Sequence, residues 1–476
     1  MNLQGERKLS MLVRFTVGNF RSFNKNQTLS LIAGSIQNHK ERLYQLDDFK
    51  LLKFGVIFGA NAAGKSNFIS AIDYAQTLAV IKTDHPYFEY TKYNYHRLNP
   101  LNKEKTSYFE FEICIDGSVY AYGFEVLIYQ KKITEEWLIK LNKDKDVQIY
   151  YRNTITGAFS FNEDYINPEY ISRMQVYFED FKHVTNQSFL SEIISNKAEL
   201  YNNNPQLEIL KKLHDWIKTL NISTPETAIT GYDCFSTKNI DDLLKAIQTF
   251  NTGISKVIPN EISKEQALEQ TSEKIRKEIE DDIAKACPDQ CNEPEGTCVK
   301  CGFRMRINGK LIFVTFKNRQ PIFTEITFEH FGIENVRFSL ADESDGTQRL
   351  LDLLSLLFTQ KENSVFIIDE IDRSLHPLLN YRFVENFLQL ATKKNIQLII
   401  TSHESHLLNL GLLRQDEIFF TEVTKTGEST LFPFDRFKER FDKKIEKAYL
   451  DGRYGGIPLF DTFFFPSAPD TQRDTD

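Results

Sequence analysis

The segment Gly59-Ala60-Asn61-Ala62-Ala63-Gly64-Lys65-Ser66 constrains this chain more than any other. Two glycines spaced by four residues, followed by lysine and a hydroxyl residue, form a loop whose backbone amides can converge on an anion. The flanks supply the required context. Residues 51–58 are a compact apolar run that predicts a buried strand, and residues 66–81 carry apolar side chains at helical spacing. Strand, loop and helix in that order predict a nucleotide-phosphate site. The loop amides and helix N-terminus surround the phosphates of ATP, Lys65 reaches the β and γ oxygens, and the Ser66 hydroxyl binds Mg2+.

Two later apolar runs end in groups that complement this loop. Residues 364–368 lead into Asp369 and Glu370, a strand that delivers two carboxylates at its C-terminal end. Adjacent strand residues point apart, so Asp369 is expected to hold Mg2+ while Glu370 orients or deprotonates the attacking water. Residues 397–400 lead into Thr401, Ser402 and His403, which puts His403 where a γ-phosphate sensor belongs. Asp369 stands far downstream of Lys65. That separation disfavours a ring-forming AAA+ motor, in which the acidic strand follows the loop closely.

Between these elements the hydropathy pattern changes several times. Residues 108–139 alternate with period two around Asp116-Gly117, which predicts an antiparallel meander. Residues 170–286 read as mostly helical, and 260–286 as one charged, helix-favouring stretch; strands return over 302–338. From 364 onward strand and helix alternate in the manner of a parallel α/β sheet. The expected division is an N-terminal ATPase lobe over 11–170 with residues 1–10 as a loose leader, and a helical insertion over 171–301. A C-terminal ATPase lobe over 302–465 and a disordered tail over 466–476 complete it.

Four of the six cysteines, Cys287, Cys291, Cys298 and Cys301, fall in one short stretch with intervening prolines and glycine. Four thiolates in two close pairs suit tetrahedral, closed and therefore structural Zn2+. No window is long and apolar enough for a membrane span, and the N-terminus has no secretory pattern, so a cytoplasmic chain without a membrane partner is expected. With 58 Lys and Arg against 66 Asp and Glu, the net charge of −8 argues against a broadly basic coat for nucleic acid.

The run Glu343-Ser344-Asp345-Gly346-Thr347-Gln348 opens another helix. Together with the phosphate loop and the acid pair it resembles ATPases of the ABC type, with the motif separation of RecF-like, SMC and double-strand-break-repair proteins. Ser344, Asp345 and Gly346 stand where that family has its signature, Ser374-Leu375-His376 where it has a D-loop, and His403 where it has its switch. Asp345 and Thr347 depart from the usual glycine and Gln or Glu. The resemblance implies an α/β ATPase with a β-rich flank, an ATP-sandwiched dimer, and Ser344 and Gly346 closing over a partner copy's nucleotide.

A narrower resemblance rests on Val17-Gly18-Asn19-Phe20-Arg21-Ser22-Phe23 and Tyr449-Leu450-Asp451-Gly452-Arg453-Tyr454-Gly455-Gly456-Ile457-Pro458, taken with the motifs above. It is similar to the compact AAA-family ATPases of bacterial phage-defence loci, including RloA-like proteins and the AriA-like ATPases of PARIS systems. This implies a homo-oligomer that recognises a phage trigger protein and releases or activates a separately encoded effector, a TOPRIM nuclease in the PARIS case. The alternative is a RecF-like or SMC-like repair ATPase that binds DNA directly; under the defence reading DNA is a possible partner and not a required one.

Overall fold

The computed structural model describes residues 10–195, 197–224, 240–286, 297–318, 320–358, 362–437 and 445–454. The chain opens with β1 (Ser10–Gly18), β2 (Gln27–Ser30), β3 (Tyr44–Gln45), β4 (Lys50–Leu51), β5 (Phe54–Gly59), α1 (Lys65–Val80) and α2 (Pro86–Thr91). It continues through β6 (Ser107–Ile115), β7 (Ser118–Leu127), β8 (Lys132–Leu141), β9 (Val147–Asn153) and β10 (Ala158–Phe161). Helices α3 (Ile171–Phe181), α4 (Phe189–Ile194), α5 (Ala198–Asn203) and α6 (Glu208–Lys218) precede β11 (Asn221–Ser223). Next come α7 (Ile240–Thr249), β12 (Ile254–Ile262), α8 (Lys264–Ala267), α9 (Glu273–Ala286), β13 (Thr297–Ile307), β14 (Lys310–Lys317) and β15 (Gln320–His330). The last described elements are α10 (Asp345–Leu357), β16 (Val365–Ile368), α11 (Pro377–Lys393), β17 (Gln397–Ser402), β18 (Ile418–Val423), β19 (Ser429–Pro433) and α12 (Ile445–Leu450).

Three larger sheets and a two-stranded β3-β4 pair organise these elements. A six-stranded sheet in the order β11-β16-β17-β5-β18-β19 is parallel except for its last strand. All six residues of β5 are buried, as a strand covered on both faces must be. Val56 and Phe58 face a core shared with α11 and α12, while Ile57 faces a second core that holds α1 and the antiparallel sheet. That antiparallel sheet has seven strands, β10-β9-β8-β7-β6-β1-β2. The meander expected around Asp116-Gly117 is present: β6 and β7 pair across that turn, whose two residues take φ of 49° and 83°, as a tight two-residue hairpin requires.

The segment expected as a helical insertion is mixed. Residues 254–262 form a strand that pairs antiparallel with residues 323–330 and buries Ile254 and Val257, and Ser263 then stops it with a reciprocal capping box to Gln266. The single helix expected over 260–286 is therefore a strand end, a short helix and α9. Strand β12 joins β15, β14 and β13 in a four-stranded antiparallel sheet. One face of it packs on α7 and α10 through Val257, Leu311, Ile326, Leu350 and Leu354; the other carries Ile312, Val314 and Phe316. Strand β11 also comes from this segment and extends the parallel sheet beside β16. The expected disordered tail lies outside the described residues. No described helix is long and apolar enough to cross a membrane.

A buried ion pair locks the antiparallel sheet to the helices that cover it. Arg152 donates to Glu136 at 2.7 Å, and both side chains are fully buried. Glu136 also accepts from the Tyr150 hydroxyl at 2.9 Å and from the amides of Phe189 (2.7 Å) and Leu190 (3.1 Å), so its carboxylate sits at the start of α4. Arg152 further donates to the carbonyls of Val184 and Gln187. Arg152→Ala leaves that buried carboxylate without its cation and is expected to cost about 3–5 kcal/mol in urea unfolding. A loss below about 1 kcal/mol, the scale of an exposed pair, contradicts this account.

Candidate active site

The phosphate loop is shaped by what crowds it. A Cβ on Gly59 would stand 2.7 Å from the Thr421 carbonyl oxygen on β18, and one on Gly64 would stand 2.5 Å from Ser429 Oγ at the start of β19. Gly64 also takes φ of 110°, which lets the chain turn from β5 into α1. Asn61, Ala62 and Ser66 are exposed along the loop, and Ala63, Gly64 and Lys65 are buried. The first amides of a helix have no intrahelical carbonyl, so the start of α1 presents donors to an anion.

Lys65 reaches back over this loop. Its Nζ donates to the carbonyls of Gly59 (2.6 Å) and Ala60 (3.0 Å) and lies 3.3 Å from His403 Nδ1. Burial lowers the Lys65 pKa to about 8, against the opposing pull of Asp372, Asp369 and Glu370. Desolvation, and next the Lys65 charge, also lower the pKa of His403.

The acid pair arrives from the other side of β17. Strand β17 lies between β5 and β16, so its C-terminal end sits between the phosphate loop and the carboxylates. Thr401 uses this position twice: its hydroxyl donates to Asp369 Oδ1 at 2.5 Å and accepts from the Glu370 amide at 2.8 Å. Glu370 has φ of 47°, a left-handed conformation that costs a β-carbon-bearing residue about 1–3 kcal/mol. Asp372 accepts from the His403 amide at 3.0 Å. Its other oxygen is buried without a hydrogen-bond partner.

Sequence reasoning named neither Thr401 nor Asp372 as a functional group. A period-two reading of β17 makes Thr401 an ordinary strand residue, and Asp372 lies in the turn beyond the acid pair; only the fold brings Thr401 to Asp369 and Glu370, and Asp372 to His403 and Lys65. Ser66 Oγ is exposed and has no hydrogen-bond partner among the described residues, and Asp369 keeps one oxygen beyond the Thr401 bond. These are hard oxygen donors of the kind Mg2+ takes.

The expected signature caps α10. Ser344 Oγ accepts from the Thr347 amide at 3.2 Å and shares a hydrogen with the Thr347 hydroxyl at 2.9 Å, so the atypical Thr347 closes onto Ser344. Ser344 and Asp345 are exposed. A Cβ on Gly346 would stand 2.8 Å from the Ser374 carbonyl, which ties this helix start to the turn after the acid pair. One turn further on, Arg349 approaches the carbonyls of Asp369 (3.4 Å) and Glu370 (3.5 Å). No hydrogen bond among the described residues joins Ser344, Asp345 or Gly346 to the phosphate loop of the same chain.

Arg21 lies against α1, donating to Ser70 Oγ at 2.8 Å, and Asn67 donates to Ser22 Oγ at 2.8 Å. The terminal motif contributes packing: Tyr449 stacks on Phe420 and Tyr454 packs edge-on to Phe434, behind Phe58 of β5. Of the cysteine cluster, Cys287 and Cys291 lie outside the described residues. The backbone of Cys298 and Cys301 lies in β13, where the pairing with β14 shifts register between Cys298 and Phe303. Among the described residues no group of three or more His, Cys, Asp or Glu is arranged to hold a metal, and the zinc expectation finds no support.

No curated protein matches the chain. One solved structure, the SMC head domain from Thermotoga maritima, aligns at 12% identity over 89% of this chain and 98% of its own, with a TM-score of 0.33. The family described as "AAA domain, putative AbiEii toxin, Type IV TA system" matches residues 54–409, a span from the first residue of β5 past His403. By that match over most of its length, the chain belongs to this family of AAA ATPase domains.

Proposed function

We propose that the chain is an ATP-binding and ATP-hydrolysing sensor and scaffold of a bacterial anti-phage defence system. On meeting a phage trigger protein it releases or activates a separately encoded effector, which the likeness to AriA-like ATPases of PARIS systems makes a TOPRIM-type nuclease. The observation that carries the nucleotide chemistry is the convergence of Lys65, Asp369, Glu370 and His403 beyond the C-terminal ends of β5, β16 and β17. The defence role is supported by the family, whose description names a toxin of a type IV toxin–antitoxin system. A net charge of −8 argues against a broadly basic coat for nucleic acid.

In this reading ATP lies along the loop with its phosphates over the amides at the start of α1. Lys65 turns from the Gly59 and Ala60 carbonyls to the β and γ oxygens. Ser66 and Asp369 would hold Mg2+, which would supply positive charge to the phosphates. Glu370, fixed through its amide by Thr401, orients a water and takes its proton as the oxygen bonds to the γ-phosphorus. The bond to the bridging oxygen breaks, and ADP and phosphate leave. His403 donates to the γ-phosphate, held in position by the Asp372 carboxylate.

The exposed start of α10 is proposed to close the site on a second copy, giving a dimer with two composite sites. A helix N-terminus with a serine hydroxyl suits a γ-phosphate. Ser344→Arg then lowers turnover at least about tenfold with ATP affinity retained, beyond the roughly 1 kcal/mol cost of a lost cap. Mixing this variant with Lys65→Ala restores turnover, because one site of the mixed dimer keeps both intact halves; absence of rescue removes the composite site. The test of the whole reading is phage plating on cells that carry the native locus. Wild type protects, and both Lys65→Ala and Glu370→Gln lose protection. A wild-type locus that protects against no phage in a broad panel overturns the defence role.

A further inference from the structure

A cavity of about 590 Å3 opens beside the phosphate loop, within the roughly 300–1,000 Å3 range of small-molecule sites. One wall is Arg21, Ser22 and Asn67; the other includes Tyr93, Tyr95 and Arg97. It begins where the loop ends. Asn67 is on the first turn of α1, and Ser22 Oγ lies 3.0 Å from where a Gly64 Cβ would stand.

The sheet order fixes which way a nucleotide must run. The carboxylates and His403 come from β16 and β17, on one side of β5, whereas β18 and β19 lie on the other. The cavity is on that second side, since Gly427 of the β18–β19 turn also lines it. A nucleotide whose γ-phosphate meets Lys65 and His403 therefore leaves the loop toward the cavity. We infer that this cavity receives the base and ribose of the nucleotide, with Tyr93 and Tyr95 as its aromatic wall. This inference rests on the nucleotide reading of the phosphate loop.

The wall is held before any ligand arrives. Tyr93 and Tyr95 both pack on Tyr129, at centroid distances of 5.8 and 6.4 Å, and the Lys103 ammonium sits 3.8 Å over that third ring. The segment is pinned to the β1–β2 turn: Arg21 N donates to Asn94 O at 2.5 Å, and His96 N donates to Asn19 Oδ1 at 3.2 Å. Tyr93 is 49% exposed, which leaves ring surface for stacking. Tyrosines among lysines also suit single-stranded nucleic acid. Here, however, the lining arginines are Arg21, turned onto Ser70 of α1, and Arg97, and the nearby Lys92 and Lys131 are both paired with Glu89, which leaves no continuous basic track for a phosphate backbone.

The test compares ATP with inorganic tripolyphosphate, each with Mg2+, on the full chain. Wild type is expected to hold ATP at least about tenfold more tightly, the scale of base stacking on an aromatic ring. Tyr93→Ala/Tyr95→Ala removes that preference and leaves tripolyphosphate affinity unchanged, while Tyr93→Phe/Tyr95→Phe keeps it. The inference is overturned if the alanine variant keeps the ATP preference, or if it loses both ligands equally. It is also overturned if that variant loses only oligothymidylate binding, which assigns the cavity to a nucleic-acid strand. Wild type that binds neither ATP nor tripolyphosphate fails the nucleotide reading itself, and this inference with it.

Discussion

Lys65→Ala is expected to weaken ATP binding by about two orders of magnitude or more, the loss that follows when one partner of a buried charge pair is removed. The side chain is 4% exposed, and its charge is opposed by desolvation, as the lowered pKa of about 8 shows. A buried ammonium with its pKa below the free value contributes nothing favourable to folding in its charged form. Removing it should therefore leave the nucleotide-free unfolding midpoint close to wild type. The two readouts separate cause from artefact. Lost ATP binding with an unchanged midpoint assigns Lys65 to the ligand. Lost binding with a collapsed midpoint assigns it to the loop, through its bonds to Gly59 and Ala60. Retained binding removes residues 59–66 as the phosphate site.

The phosphate loop was legible because its chemistry is local. Two glycines, a lysine and a serine at fixed spacing, between a buried run and a helical one, leave few alternatives, and β5 and α1 fall where the hydropathy put them. The acid pair and His403 were legible for the same reason, each ending an apolar run that became β16 or β17. What joins them was not. That β17 would lie between β5 and β16 is a property of strand order, and it alone makes Thr401 bridge Asp369 and Glu370. The left-handed φ at Glu370 is likewise invisible in a residue type that seldom adopts it.

The middle of the chain was misread for a different reason. Residues 254–286 are rich in Glu, Lys and Ile, which propensity assigns to helix, yet residues 254–262 find an open edge at β15 and pair with it. Tertiary pairing overrides a weak local preference there. The outcome matters for the site, because the sheet so formed packs on α10 through Leu350 and Leu354, while Leu353 and Leu356 of the same helix face the core beneath β16. The helix that carries Ser344 is thus held between two sheets. The same helix brings Arg349 to the carbonyls of Asp369 and Glu370.

Glu370→Gln is expected to lower ATP turnover by about 10²–10⁴-fold, the usual contribution of a positioned acid or base, with ATP binding intact. The substitution changes little else. The contact that fixes this residue runs from its backbone amide to Thr401 Oγ1, and an amide side chain of the same length leaves it in place. What disappears is the oxygen able to accept the water proton. Replacing a carboxylate with a neutral amide also removes negative charge near the γ-phosphate, so ATP should be held at least as tightly as by wild type. If two copies close on the nucleotide, the trapped ATP state accumulates as dimer in sedimentation, and only in the presence of ATP. Three outcomes are distinguishable. Lost turnover with retained ATP and accumulated dimer assigns Glu370 to the hydrolytic step of a composite site. Lost turnover with retained ATP but a monomer keeps Glu370 and discards the sandwich. Turnover at the wild-type rate discards Glu370, and the remaining carboxylate with the strongest pull on both Lys65 and His403 is then Asp372.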